Sequence, residues 1–366
     1  MTSFLNYNGI GMSLLNYYNY IDADKIQMDY LVPNKVDENL KKEFTKKGNK
    51  LFEFDYKNKK MHQRRPIKYC IKLYKLIKQE KYDIVHAHGS SSMLFLQLLT
   101  AKLAGVKVRI AHSRNTNAIF GFLNIVFKPL FKISYTDALA CGREAGEWLF
   151  GKKAQFTVIP NGKDCNMFEY RDSIREEYRK KYNIENKIVI GHVGNINCQK
   201  NHEFLIKVFN ELKSHNKDYY LILAGDGPLI GDIKKQVVDL NLEEDILFLG
   251  QISVDDVAKW LNAMDIMVFP SKWEGFPNVL IEWQISCLPC VVSDAITKDV
   301  KITELVSFKS LKDLPIEWAK EIESISIIDR NSIKYKIMEE VKKAGYDIKE
   351  NAKFLEELYQ KMLLNK

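Results

Sequence analysis

No apolar run in this chain approaches the roughly 18–20 residues needed to cross a bilayer, and its opening MTSFLNYNGIG lacks the basic start and apolar core of a signal peptide. Both absences point to a cytoplasmic protein. Cysteine is scarce. Six residues, Cys70, Cys141, Cys165, Cys198, Cys287 and Cys290, are scattered through 366, which suits reduced thiols and argues against a disulfide framework. No internal repeat or low-complexity tract is visible, so a solenoid or a disordered array is not expected. There is no zinc-finger or RNP-type motif, so nucleic acid is not expected as a partner. What remains, 46% hydrophobic and 28% charged residues, is ordinary for a folded soluble chain. Its length suits two domains of about 150 to 200 residues.

The net charge of +8 is unevenly spread. Residues 1–160 carry 26 Lys or Arg against 13 Asp or Glu, whereas residues 161–366 carry 29 against 34. A basic N-terminal half points to an anionic surface or substrate on that side. The most basic stretch, Arg64 to Lys78, reads as a helix with Lys68, Lys72 and Lys75 outward and Ile67, Ile71, Tyr74 and either Ile77 or Leu76 buried. Peripheral contact with an anionic membrane is the expected use of that face.

Taken in order, Asn8-Gly9-Ile10-Gly11 opens a helix over about Met12 to Ile21. Glycines at Gly9 and Gly11 would let backbone approach a phosphate at the helix start. Strands are expected at 26–32, 51–54, 83–86, 106–111 and 138–141, with helical patterns between them. That alternation predicts a parallel sheet covered on both faces, with ligands at the strand C-terminal ends. His86, His88 and His112 lie at such ends. His86 and His88 have the spacing of two metal ligands on one strand face, but no third is evident, so no metal site is expected.

The second half repeats the pattern. Lys187 to Gly194 reads as a strand running into Asn195-Ile196-Asn197-Cys198-Gln199-Lys200, and Tyr220 to Ala224 as one running into Gly225-Asp226-Gly227-Pro228. Asp265 to Asp294 then reads as strand, polar loop, helix and strand. The apolar runs Ile266 to Phe269 and Cys290 to Ser293 bracket a helix expected from Pro277 to Leu288. Glu274 in the loop and Glu282 just over one turn into the helix are separated by seven residues. Both can point at one bound molecule. Free N–H groups of Phe276, Asn278 and Val279 would favour an anion such as a diphosphate, and a carboxylate can accept hydrogen bonds from sugar hydroxyls. A charge at Glu282 beside Val279, Leu280, Trp283 and Ile285 needs a partner.

This stretch resembles the E-x7-E donor-site signature of glycosyltransferase family 4. Val158-Ile159-Pro160-Asn161-Gly162 resembles the family's crossover into its second domain, with Lys163 replacing the usual aliphatic residue. Gly194 and Lys200 match its phosphate loop, except that Asn195 stands where arginine is usual. The resemblance implies a GT-B fold, α/β, with two Rossmann-like parallel domains facing across a cleft: residues 1–165 with helix 348–366 packing back on them, and 166–347. It further implies retaining transfer from a nucleotide-diphosphate sugar, without a metal or other cofactor. Glu282 would hold the ribose and Gly225 and Gly227 would flank the base. Gly194, Asn195, Lys200 and the helix start would hold the diphosphate, and Glu274 and His112 would face the transferred sugar. Glu274, His112 and Lys200 are the catalytic candidates. S-D-A-I-T-K-D-V and A-G-Y-D-I-K resemble bacterial capsule and exopolysaccharide transferases, which implies a saccharide or lipid-linked saccharide acceptor.

Two alternatives stay open: a nucleotide-sugar 2-epimerase of the same fold, and a catalytically weak nucleotide-sugar-binding subunit, suggested by Asn195 and the short N-terminus. Cys287-Leu288-Pro289-Cys290 has a redox-type spacing but closes a helix instead of opening one. Asp22-Ala23-Asp24 has the form of a metal-binding D-x-D but sits in an ordinary turn.

Overall fold

Among the described residues, the apolar runs that read as strands pair in parallel. The computed structural model describes Met1, Leu5 and residues 9–54, 66–115 and 121–365. The chain forms two units: residues 1–162 with 345–366, and residues 163–344. The chain passes between these units at 162/163 and 344/345. Gly345, at φ +82°, ends the helix Arg330–Lys343 in the left-handed conformation that glycine adopts without strain.

In the first unit the strands are β1 (Tyr30–Val32), β2 (Leu51–Glu53), β3 (Ile84–Gly89), β4 (Val108–Ser113), β5 (Asp137–Ala140) and β6 (Thr157–Val158). Among the described residues they form a parallel β1-β2 pair and a parallel four-stranded sheet β3-β4-β5-β6. Met1 pairs with β3, since the His88 N–H donates to the Met1 carbonyl at 2.9 Å. A cavity of about 120 Å³ is lined in part by Met28, Tyr30, Leu31, Ile84 and Val85. The strand expected over 26–32 is only three residues long, and the first helix starts earlier than expected, at Gly9, running to Tyr20. Gly9 and Gly11 thus lie in its first turn and not in a loop before it, while Asn8 falls outside the described residues.

The last helix, Ile348–Leu364, belongs to this unit. Ile348, Ala352, Leu355, Tyr359 and Met362 pack with Tyr17, Val108, Ile110, Leu139 and Ile159. Gly162 permits this contact, because a Cβ there would lie 2.7 Å from the Ile348 Cα.

The second unit contains β7 (Ile188–Val193), β8 (Tyr219–Ala224), β9 (Ile246–Gly250), β10 (Ile266–Phe269), β11 (Cys290–Ser293) and β12 (Val306–Lys309). Their order is β12-β11-β10-β7-β8-β9, a doubly wound sheet whose connections reverse direction between β7 and β10. Ligands of such sheets bind at that switch point, beyond the strand C-terminal ends. Here those ends lead into the loops carrying Gly194 to Lys200 and Pro270 to Asn278.

Between β10 and β11 the helix is Val279–Ile285, shorter at both ends than expected. Pro277 precedes it. At its end Cys287 adopts φ +56°, and the Leu288 N–H reaches back to the Trp283 carbonyl at 3.0 Å. That closure stops the helix three residues before Leu288, where it was expected to end.

Candidate functional site

In the second unit the two switch-point loops are laced together. The Lys272 N–H donates to the Gln199 carbonyl at 2.8 Å, the Gln199 side chain donates to the Trp273 carbonyl at 2.9 Å, and the Asn201 side chain to the Pro270 carbonyl at 3.2 Å. This lacing brings Lys200 to Glu274, Nζ to Oε1 at 2.8 Å, with 14 and 10% of the side chains exposed. Lys200 also lies over the Phe269 ring at 4.4 Å, a face that attracts a cation.

Glu282 finds the partner its surroundings demand in Lys163, through a direct ion pair. That lysine is one of the two departures from the family pattern. Both side chains are nearly out of solvent, so each charge relies on the other. Each carboxylate of the E-x7-E signature is therefore clamped by one lysine. The sequence reading singled out Lys163 as a departure but missed its role; the signal was a cation at an apolar position in a chain whose Glu282 lacked a partner.

The glycines of this unit serve close packing. A Cβ on Gly225 (φ +141°) would lie 2.0 Å from the Gly194 carbonyl oxygen, and one on Gly227 would lie 2.3 Å from the Ile196 carbonyl and 2.6 Å from the Asn195 Oδ1. Gly225 and Gly227 thus let the turn after β8 press against the Gly194 to Ile196 loop, with the exposed Asn195 side chain at the seam. Of the expected N–H donors, Phe276 lies in the loop with an interaction of its own. Asn278 caps the helix without a side-chain bond and keeps a buried Oδ1 with no partner among the described residues. Val279 is the first helical residue.

Beneath the loops lies a layer the sequence reading missed. His192 donates from Nδ1 to the Val268 carbonyl at 2.8 Å and is edge-on to His202, with ring centroids 4.5 Å apart. Burial is the main reason His192 is held well below the ordinary histidine value and His202 down at about 4, so both rings are neutral at pH 7. The Cys287 thiol is pushed up to about 11 by burial and Cys290 higher still, opposite to a reactive thiol.

In the first unit, the β3–β4 register places His88 opposite His112 and assembles three imidazoles. The third histidine, not evident from the sequence, is His112. Ring nitrogens of His86, His88 and His112 lie within 4.8 Å of one another, but the rings are stacked: His86 and His88 at 4.1 Å between centroids, His86 and His112 at 5.1 Å. Both His86 nitrogens are engaged, Nδ1 with the Tyr359 hydroxyl at 2.6 Å and Nε2 with His112 Nδ1 at 3.0 Å. Arg114 donates from Nε to His88 Nδ1 at 3.1 Å and from Nη1 to Asn161 Oδ1 at 2.8 Å. A cation site needs lone pairs converging on one point; stacked rings spent on hydrogen bonds beside a guanidinium do not offer that. Burial, ahead of nearby positive charge, holds all three histidines well below their ordinary value.

The basic helix corrects one expectation. It spans Pro66–Glu80 and buries Tyr69, Leu73 and Ile77. Ile67, Ile71 and Tyr74, expected inside, are exposed beside Lys68, Lys72 and Lys75. Arg64 and Arg65 fall outside the described residues.

Comparison with known proteins agrees with this geometry. Residues 7–166 match the model described as Glycosyltransferase Family 4, and residues 174–303 match Glycosyl transferases group 1. EpsF of Bacillus subtilis (strain 168), assigned as a glycosyltransferase, is 33% identical over 97% of this chain and 94% of its own. An Escherichia coli UDP-Gal:alpha-D-GlcNAc-diphosphoundecaprenol alpha-1,3-galactosyltransferase is 32% identical over 62% of each chain. Among solved structures, Anabaena HepE in complex with UDP superposes with a TM-score of 0.75 at 17% identity, covering 98% of each chain. The fold is GT-B, and the chain belongs to glycosyltransferase family 4.

Proposed function

We propose that the second unit binds a nucleotide-diphosphate sugar at the β7/β10 switch point, and that the chain transfers the sugar with retention, without a metal or other cofactor. The observation that carries this reading is the pair of lysine-clamped carboxylates, Lys200 with Glu274 and Lys163 with Glu282. Without ligand the site neutralises itself. An arriving diphosphate takes Lys200, which then stabilises the charge that develops on the departing phosphate. Glu274, released, accepts hydrogen bonds from the transferred sugar, and Glu282 accepts them from the ribose. Gly194, Asn195 and the backbone around Phe276 to Val279 border the diphosphate, with Gly225 and Gly227 beside the base. For His112 we propose the role its family position implies, contact with the transferred sugar; its Nε2 is buried without a partner among the described residues. A contribution from Gly9 and Gly11 rests on their place in a helix first turn.

The acceptor proposed is a lipid-diphosphate-linked saccharide used in capsular or exopolysaccharide assembly. The activity of the Escherichia coli relative, whose acceptor is of this kind, supports it. A membrane-bound acceptor also fits the first unit's surface. Phe122, Ile125 and Ile133 are 76, 72 and 57% exposed, as are Ile67 at 74% and Ile71 at 53%. Lys132, Lys68 and Lys72 are exposed on the same segments, and Lys102 joins them by donating to the Ile133 carbonyl at 3.2 Å. Apolar side chains interleaved with lysines suit the interface of an anionic bilayer. No helix among the described residues is long and apolar enough to cross a membrane, so the contact proposed is peripheral. The test is a panel of nucleotide sugars against membrane-extracted lipid-linked acceptors. Transfer that keeps the anomeric configuration supports the reading, and turnover of donor to an epimer with no acceptor present overturns it.

A further inference from the structure

The hydrogen-bond chain from Tyr359 to His112 has a direction, and the direction fixes protons. The Tyr359 hydroxyl is buried, at 5% exposure for the residue, and burial keeps it protonated by pushing its pKa well up. Its one recorded partner among the described residues is His86 Nδ1, at 2.6 Å. A buried O–H donates where it can, so His86 Nδ1 accepts and the His86 proton resides on Nε2. That nitrogen faces His112 Nδ1 at 3.0 Å. His112 Nδ1 therefore accepts in turn, and the His112 proton resides on Nε2. The opposite direction would leave the tyrosine proton in a buried site with no acceptor among the described residues.

We propose that Tyr359 is a positioning residue: acting through His86, it holds His112 as the Nε2–H tautomer, so that the ring presents a hydrogen-bond donor to a hydroxyl oxygen of the substrate sugar. The last helix thereby sets the chemistry of a strand end 247 positions earlier in sequence, and the tautomer is determined by the partner of the other ring nitrogen. Arg114 does the same for His88 by donating to its Nδ1. The substrate part of this proposal rests on the role given to His112 above; the tautomer part does not.

Long-range ¹H–¹⁵N NMR on histidine-labelled protein reads the tautomers directly. Wild type is expected to show neutral His86 and His112, both protonated on Nε2. In Tyr359→Phe, which keeps the ring in place, His112 should shift measurably toward Nδ1–H. A glutamine at position 86 can accept from tyrosine with its oxygen and donate to His112 with its nitrogen. His86→Gln is therefore expected to preserve the Nε2–H form, and His86→Leu to lose it. An Nδ1–H His112 in wild type, or an unchanged tautomer in both Tyr359→Phe and His86→Leu, overturns the proposal. In turnover, Tyr359→Phe should lower kcat on the order of tenfold, about 1.4 kcal/mol for one lost hydrogen bond, with the donor KM unchanged and His86→Gln near wild type. Tautomers that shift while turnover does not would keep the relay and overturn the role given to His112.

Discussion

Lys163 forms a direct ion pair with Glu282, and the two side chains are only 10 and 13% exposed. The lysine that breaks the family pattern is thus the counter-charge of a signature carboxylate. Removing one member of a largely buried pair leaves the other charge uncompensated, at a cost of about 3 kcal/mol. Lys163→Met should lower the urea midpoint accordingly, whereas Lys163→Met combined with Glu282→Leu should recover most of the loss. Additive losses in that double-mutant cycle would mean that the pair contributes no coupling.

Stability should fall as pH drops from about 6.5 toward 4. His202 is held at about 4 by burial, against about 6.5 in an unfolded chain. Between those values the unfolded chain binds the extra proton, so protonation favours unfolding. The stabilisation is complete above the unfolded pKa and is lost as pH falls through the window, with an upper bound of about 3 kcal/mol for this one residue. His192, held low for the same reason, adds in the same direction. Urea midpoints at pH 7 and pH 5 check this; His202→Asn should flatten the difference.

Much of the second unit was legible because its strands are continuous apolar runs. Ile266 to Phe269 and Cys290 to Ser293 occupy the positions read from sequence, each buried throughout. The basic helix shows why the rest was not. Ile67, Ile71 and Tyr74 satisfy helical spacing on one face, and Tyr69, Leu73 and Ile77 satisfy it on another, so periodicity alone cannot choose between them. The choice is made by packing against Phe54, Leu98 and Ala101, residues distant in sequence. In the same way His112 joins His86 and His88 only through strand register, and Tyr359 reaches His86 across 273 positions of sequence. The carboxylates Glu274 and Glu282 were visible as a spacing; their lysine partners were set by loop geometry, which no spacing encodes.

The surface account predicts that apolar anchors matter as well as charge. Phe122→Asp with Ile125→Asp should reduce sedimentation with vesicles of anionic lipid at low and high salt alike. Replacing Lys68, Lys72 and Lys75 together by Gln should reduce it mainly at low salt, where each cation contributes on the order of 1 kcal/mol. Binding unchanged in both variants would remove the membrane assignment.

At Asn195 the chain lacks the arginine its family usually carries, and the side chain lies against the close approach of Gly227. A guanidinium there would add a second cation to the loop proposed to hold the diphosphate. Asn195→Arg should raise turnover or leave it unchanged, with tighter nucleotide binding. Loss of activity in a variant that folds normally would show that the seam between the two loops, and not the missing charge, governs this position.

The central claim is that Lys200 and Glu282 hold a nucleoside diphosphate in the second unit, and calorimetric titration of UDP and GDP into wild type, Lys200→Ala and Glu282→Ala tests it most directly. The account predicts that wild type binds at least one of the two nucleotides. Lys200→Ala should bind it at least tenfold more weakly, as expected for loss of a charge-assisted contact worth about 1.5 to 3 kcal/mol, and Glu282→Ala should be weakened through loss of the ribose contact. Wild-type binding that survives unchanged in both variants would contradict it, because the diphosphate would then be held by groups other than the two lysine-clamped carboxylates and their partners.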